Sequence, residues 1–192
     1  RDALEAGSVW WEGELFSGMP NWQKLTELPA PQLTEEEQAF LDGPTEKLCY
    51  LLDDWEITHE LLKIPDNVWV FIKENNFLSM IIPKEYGGLG FSPLANSMVL
   101  TKIASRNATV AATIGVPNSL GPAELLLHYG TEEQKKRWLP GLAKADEIPC
   151  FALTSPRAGS DATAITDKGV VCRGKFGDKE IIGICLNWDK RY

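Results

Sequence analysis

Between residues 34 and 147 the apolar side chains recur every three, four or seven positions, the spacing of helices that bury one face. Thr34 with Glu37 three residues later predicts a capping box at the start of the first of them. Gly43-Pro44 interrupts that helix, and Pro44 suits the first position of a new turn. Leu41, Leu48, Leu52 and Trp55 then form one stripe, expected to be buried. Pro65 opens another helix with Val68, Trp69 and Ile72 inward, and Asn75-Asn76 ends it. An apolar run over 77–82 is closed by Pro83. The segment 85–90 holds three glycines in four positions and reads as a loop. Ser92-Pro93 supplies an N-cap followed by proline at the first helical position. Ala95, Val99 and Ile103 line one face of the helix beyond it. A further helix is expected over about 107–115, broken by Pro117. Helical pattern resumes over 122–129, with Gly130 placed to end it. Thr131 and Gln134 form a second capping box, leading through Arg137 and Trp138 into one or two more turns over 139–145.

From residue 148 the pattern changes. Short β-prone runs over 150–154, 170–173 and 180–187 are separated by Gly- and Asp-containing turns, with Gly177-Asp178 as a hairpin. Residues 1–32 are different again, rich in Trp, Pro and Gly (Trp10, Trp11, Trp22, Pro20, Pro29, Pro31), and read as an arm packed on something else. The organisation expected is an arm over 1–32, an all-α domain over 33–147, and the first strands of an antiparallel β domain over 148–192. The fold class is α+β.

Composition adds exclusions. The chain has 192 residues, 44% hydrophobic and 24% charged, which rules out disorder along its whole length. The net charge is −8, split as −10 over residues 1–147 and +2 over 148–192. Such an acidic chain is a poor partner for a phosphate backbone, so nucleic-acid binding is not expected. No apolar run reaches the roughly 18–20 residues of a membrane-spanning helix. Cys49, Cys150, Cys172 and Cys185 form no C-x-x-C pair, and His59 and His128 lie far apart. A metal site is not expected, and the cysteines read as structural thiols in a reducing compartment. His59 and His128 themselves read as surface or helix-end residues. Glu35-Glu36-Glu37 reads as a solvated first helical turn that suits the helix dipole.

The stretch with most chemical content is Phe151-Ala152-Leu153-Thr154-Ser155-Pro156-Arg157-Ala158-Gly159-Ser160-Asp161. A strand would present a backbone edge and the Thr154 hydroxyl. The tight loop after it would present Ser160, with backbone N–H groups able to cradle an anion such as a pyrophosphate. On these residues alone a simple turn is the commoner explanation.

This stretch resembles the strand-and-loop signature of the acyl-CoA dehydrogenase family, usually Leu-Thr-Glu-Pro-x-Ala-Gly-Ser-Asp. Three further segments resemble that family in the same order. They are Ile82-Pro83-Lys84-Glu85-Tyr86-Gly87-Gly88-Leu89-Gly90, Val116-Pro117-Asn118-Ser119-Leu120-Gly121, and Tyr129-Gly130-Thr131-Glu132-Glu133-Gln134-Lys135-Lys136 with Leu139-Pro140. The resemblance covers about residues 33–192. The Trp-rich arm and Ser155-Pro156 in place of Glu-Pro are most similar to the bacterial FadE-type branch, which handles fatty acyl-CoA in β-oxidation.

The resemblance implies FAD as cofactor. Phe151, Leu153 and Thr154 fall where the family's strand lies against the flavin ring, and Ser160 where a hydroxyl meets the FAD pyrophosphate and the CoA portion of the substrate. Lys190-Arg191-Tyr192 resembles the family's Lys-x-Trp, which would put Tyr192 behind the flavin. Asn118 and Ser119, at the helix break, would line the acyl channel or simply pack a kink. Tyr86-Gly87-Gly88 would approach the CoA or act only as a turn. The implied reaction is α,β-dehydrogenation of an acyl-CoA thioester to the trans-2-enoyl-CoA. A Glu removes the α-proton, and the β-hydrogen leaves as hydride to the flavin. In the family that Glu lies in a later helical domain, and no acidic residue here matches its motif. This chain is therefore expected to be an N-terminal part without the catalytic base and inactive alone.

Partners implied by the resemblance are fatty acyl-CoA, an electron-transfer flavoprotein as acceptor, and further copies of the full-length chain in a homo-oligomer. The location implied is cytoplasmic, with or without attachment to the inner membrane. Glu5, Glu12 and Glu14 argue against the Trp-rich arm lying on an anionic membrane. Two other functions stay open: a non-catalytic acyl- or protein-binding module built on the fold, and a relative that oxidises by way of oxygen, such as an acyl-CoA oxidase or nitroalkane oxidase.

Overall fold

The computed structural model describes residues 11–191 apart from positions 17, 28 and 120. Trp10 and Tyr192 lie outside the described residues. Two short helices open the described part of the chain, α1 (Trp11–Phe16) and α2 (Trp22–Glu27). The Trp-rich arm is thus partly helical. Its two pieces close on each other: the Trp11 and Trp22 rings meet edge-on at 5.4 Å, and Trp11 Nε1 donates to Asn21 O at 3.0 Å.

The main core is built by α3 (Glu35–Asp42), α4 (Pro44–Leu51), α5 (Asp66–Glu74), α6 (Pro93–Ala104) and α7 (Ala108–Gly115). The expected capping box forms. Glu37 N donates to Thr34 Oγ1 at 3.2 Å and Thr34 N donates to Glu37 Oε2 at 2.8 Å. Ser92 caps α6, its hydroxyl accepting from Ala95 N, and Ala95, Val99 and Ile103 are all buried. Phe77, Leu78 and Met80 sit at the centre with Leu48, Val68, Ile72, Val110 and Ile114, so the 77–82 run crosses the core. Burial of this many aliphatic and aromatic side chains is the dominant stabilising term, at about 1.5–3 kcal/mol each before entropy is counted.

The loop after Pro83 is fixed by its backbone. Leu89 N, Gly90 N and Phe91 N donate to Ser79 O, Ile82 O and Met80 O, folding 88–91 back along 79–82. The approach is so close that a Cβ on Gly88 would lie 2.1 Å from Ile82 O.

A second, smaller core joins α8 (Pro122–Tyr129) and α9 (Glu132–Ala143) to Ile82 through Ala123, Leu139, Leu142 and Ala143. The helix α8 ends at Gly130, as expected, through extended backbone. The second capping box is present at Thr131 and Gln134. The helix α9 runs unbroken through Pro140.

Besides Glu37, which is buried rather than solvated because its carboxylate accepts from Thr34 N and Ser92 N, two expectations fail. Trp55 is not part of the buried stripe: it is 62% exposed. The α-helical phase is lost at Leu52, whose backbone is extended, and Glu56–Glu60 winds as a π-helix. Ile57 takes the inward position, and Trp55 stacks flat on His59, with centroids 4.0 Å apart and planes 8° apart. The second failure is the strand over 150–154, which is irregular. Among the described residues no strand ladder reaches it, and the carbonyls of Leu153 and Thr154 are held by Lys190 and Arg191 instead.

The remaining strands form as expected. β1 (Lys168–Phe176) and β2 (Lys179–Asn187) pair antiparallel in the register Lys168 to Asn187 through Phe176 to Lys179. Gly177, with φ +59°, makes the tight turn. Both faces of the hairpin are largely exposed, including Val170, Val171, Ile182 and Ile184.

Candidate flavin-facing loop

The candidate site begins where α9 ends. Residues 148–154 leave the helical domain without regular secondary structure, and a closed turn comes next. Ser155 N donates to Ala158 O at 3.0 Å and Ala158 N donates back to Ser155 O at 3.2 Å. Ala158 is buried and anchors the turn. Asp161 closes the far side by accepting from the N–H and hydroxyl of Thr163, at the start of the turn Ala162–Ala164. These hydrogen bonds hold the Asp161 carboxyl below the usual carboxylate range. The 155–161 segment is therefore a fixed shape.

Phe151 and Leu153 are half exposed, Thr154 is half-buried and Ser160 is exposed. Among the described residues the hydroxyls of Thr154 and Ser160 have no protein partner, and neither do the N–H groups of Gly159 and Ser160. Unused donors beside exposed apolar side chains are what a flat ring with an anionic tail requires. A Cβ on Gly159 would meet nothing within 4 Å, so the loop is open on that side.

The loop is tied to the base of the hairpin. Lys190 Nζ donates to Leu153 O at 3.0 Å and forms an ion pair with Asp167. Arg191 N donates to Thr154 O at 3.0 Å. The Lys190 ammonium holds the Asp167 carboxyl below its ordinary range, against the opposing effect of desolvation. Nothing in the sequence motif pointed to Asp167. Its one signal was its place just before β1, opposite the end of β2.

Asn118 and Ser119 are placed differently from each other. Ser119 is exposed, whereas Asn118 is buried and its amide is engaged on both sides. Asn118 Nδ2 donates to Phe77 O at 2.6 Å and to Ile114 O at 2.9 Å, and Asn118 Oδ1 accepts from Ile81 N at 3.3 Å. Asn96 Nδ2 donates to Asn118 O at 3.1 Å. Asn118 thus staples the helix break to the core-crossing run.

A groove of about 570 Å³ also opens between α8 and α9, which the sequence did not single out. Leu125, Leu126, Trp138 and Leu142 line it, together with Ile148 and Pro149 at the exit toward the candidate loop. Its apolar residues lie at helical spacing on two adjacent helices, a pattern shared by any packed helix pair, so nothing marked it as a cleft.

Residues 34–146 match the family model described as Acyl-CoA dehydrogenase, N-terminal domain. The chain belongs to the acyl-CoA dehydrogenase family. This family member is similar to the mitochondrial very long-chain specific acyl-CoA dehydrogenase of Mus musculus, at 31% identity over 74% of the chain and 22% of that protein. It is similar to the mitochondrial isobutyryl-CoA dehydrogenase of Dictyostelium discoideum, at 32% identity over 80% of the chain and 36% of that protein. The fold superposes on the crystal structure of an acyl-CoA dehydrogenase from Geobacillus kaustophilus with a TM-score of 0.60 and 29% identity, over 80% of this chain and 39% of that one. The acyl-CoA dehydrogenase-family chain thus spans between about a fifth and two fifths of the length of these relatives. The α+β class, helices followed by antiparallel strands, agrees with that membership.

Proposed function

We propose that this chain supplies the N-terminal helical domain and the flavin-facing loop of an FAD-dependent dehydrogenase of fatty acyl-CoA, acting in β-oxidation on the pattern of the FadE-type branch. The observation that carries the reading is the fixed, open loop over 155–161, with hydroxyls at Thr154 and Ser160 that have no partner among the described residues and exposed apolar neighbours at Phe151 and Leu153. These residues fit the group: Phe151, Leu153 and Thr154 would hold the ring, and Ser160 with the N–H of Gly159 would hold the pyrophosphate. FAD, when bound, supplies the two-electron acceptor. The chain's own residues bind it, orient it, and cover one side.

Tyr192 would back the ring, and Ser160 would also meet the CoA portion of the substrate. Ser119, exposed at the break before α8, is the better placed of the two channel candidates, because the Asn118 amide is already committed to the core. The α-proton would be removed by a carboxylate from elsewhere in the full-length protein. The electrons would pass to an electron-transfer flavoprotein, and the full-length protein would assemble as a homo-oligomer. No helix among the described residues is long and apolar enough to cross a membrane.

The test is expression of the full-length protein. It should be yellow, and anaerobic addition of a fatty acyl-CoA should bleach the flavin. A colourless full-length protein, or a yellow one that no acyl-CoA bleaches, rejects the proposal.

A further inference from the structure

The ends of the hairpin do more than close it. β1 and β2 separate at the pair Lys168 and Asn187, and beyond them Asp167 and Lys190 come together across the open end. Lys190 is mostly shielded, with 16% of its side chain exposed, although lysine ordinarily keeps its ammonium in water. The ammonium is shared between the Asp167 carboxylate and the carbonyl of Leu153, thirty-seven residues back along the chain. One residue further on, Arg191 N reaches Thr154 O. Two consecutive residues after β2 thus grip two consecutive carbonyls of the candidate loop. Without this grip the segment 148–154 would have no described backbone partner of its own.

We propose that Lys190 is a positioning residue for the flavin: held by Asp167, it fixes the Leu153–Thr154 carbonyls and so sets how the Thr154 hydroxyl and N–H are presented to the ring. The role of Lys190 rests on the flavin-binding reading of the loop. The requirement is a directional donor at two places at once. A methionine of similar length cannot meet it, whereas an arginine can donate to both oxygens.

The experiment uses full-length protein carrying Lys190→Met, Lys190→Arg or Asp167→Asn. The first arm asks whether the unmodified protein takes up FAD; failure there overturns the flavin reading itself, separately from the role of Lys190. The second arm measures FAD affinity by quenching of flavin fluorescence, the visible spectrum of the bound flavin, and hydrogen exchange of the Arg191 amide in the apoprotein. Lys190→Met should weaken FAD binding about tenfold, shift the flavin absorption bands and speed Arg191 exchange about tenfold. Asp167→Asn should show the same changes at about threefold, and Lys190→Arg should restore the spectrum. Wild-type affinity and spectrum in Lys190→Met overturn the proposal. So does an Arg variant as impaired as the Met variant, since that would mean any change at 190 merely disturbs packing.

Discussion

Glu37 Oε1 accepts a hydrogen bond from Ser92 N at 2.6 Å across fifty-five residues of sequence, while its other oxygen closes the capping box on Thr34 N. One buried carboxylate therefore ties the N-terminus of α3 to the N-terminus of α6. Burial by itself would raise its pKa. The N–H groups of Ser92 and Thr34, with both hydroxyls, outweigh that and bring it down to about 2.

This depression sets the direction of the pH effect. A carboxylate with a depressed folded pKa stabilises above its unfolded value of 4.5 and loses that contribution as pH falls toward 2. Glu37→Gln should cost about 1.5–3 kcal/mol at pH 7, the range for hydrogen bonds to a charged group. The gap from wild type should narrow steadily between pH 4.5 and 2. Urea denaturation across that range checks this; a gap that stays constant would contradict it.

Asn118→Ala should destabilise by about 1–3 kcal/mol, because it strands two carbonyls and the Ile81 N–H in the core. Asn118→Asp should be worse, since it turns a carboxyl toward Phe77 O and Ile114 O. Thermal melts of the two variants should fall in that order, whatever becomes of ligand binding.

Glycines at two loops should respond unequally. Gly88→Ala drives a methyl into Ile82 O and should cost about 1–3 kcal/mol or more, as overpacking does. Gly159→Ala meets open space and should leave stability within about 0.5 kcal/mol, the usual range for surface changes. Comparative melting of the pair decides it.

Thr154→Val and Ser160→Ala in the full-length protein should each weaken FAD about tenfold, or about 1.4 kcal/mol, with little change in melting of the apoprotein. Flavin titration checks this. Unchanged affinity in both would remove the loop from the cofactor site.

Much of the helical domain was legible because its signals are local. Thr34 and Glu37, Thr131 and Gln134, and Ser92 and Pro93 each fix a helix start within one turn of chain. Trp55 leaves the stripe because periodicity assumes one continuous helix, whereas the helix ends at Leu51 and the extended backbone at Leu52 breaks the phase before Trp55. The strand over 150–154 was misread because a β-prone run still needs a neighbouring edge, and here its carbonyls find Lys190 and Arg191. The candidate loop was visible only through its Pro, Gly and Ser content and its resemblance to a known signature. The Asp167–Lys190 pair joins residues twenty-three apart through a hairpin register that no spacing rule encodes.

The crowding at Gly88 also bears on how this protein can change over generations. Every single-base replacement in a glycine codon that encodes a different amino acid yields Ala, Val, Ser, Cys, Asp, Glu, Arg or Trp, all of which carry the carbon that Ile82 O excludes. Position 88 therefore has no silent detour at the protein level. A lineage that leaves glycine there must first remodel the turn that faces it.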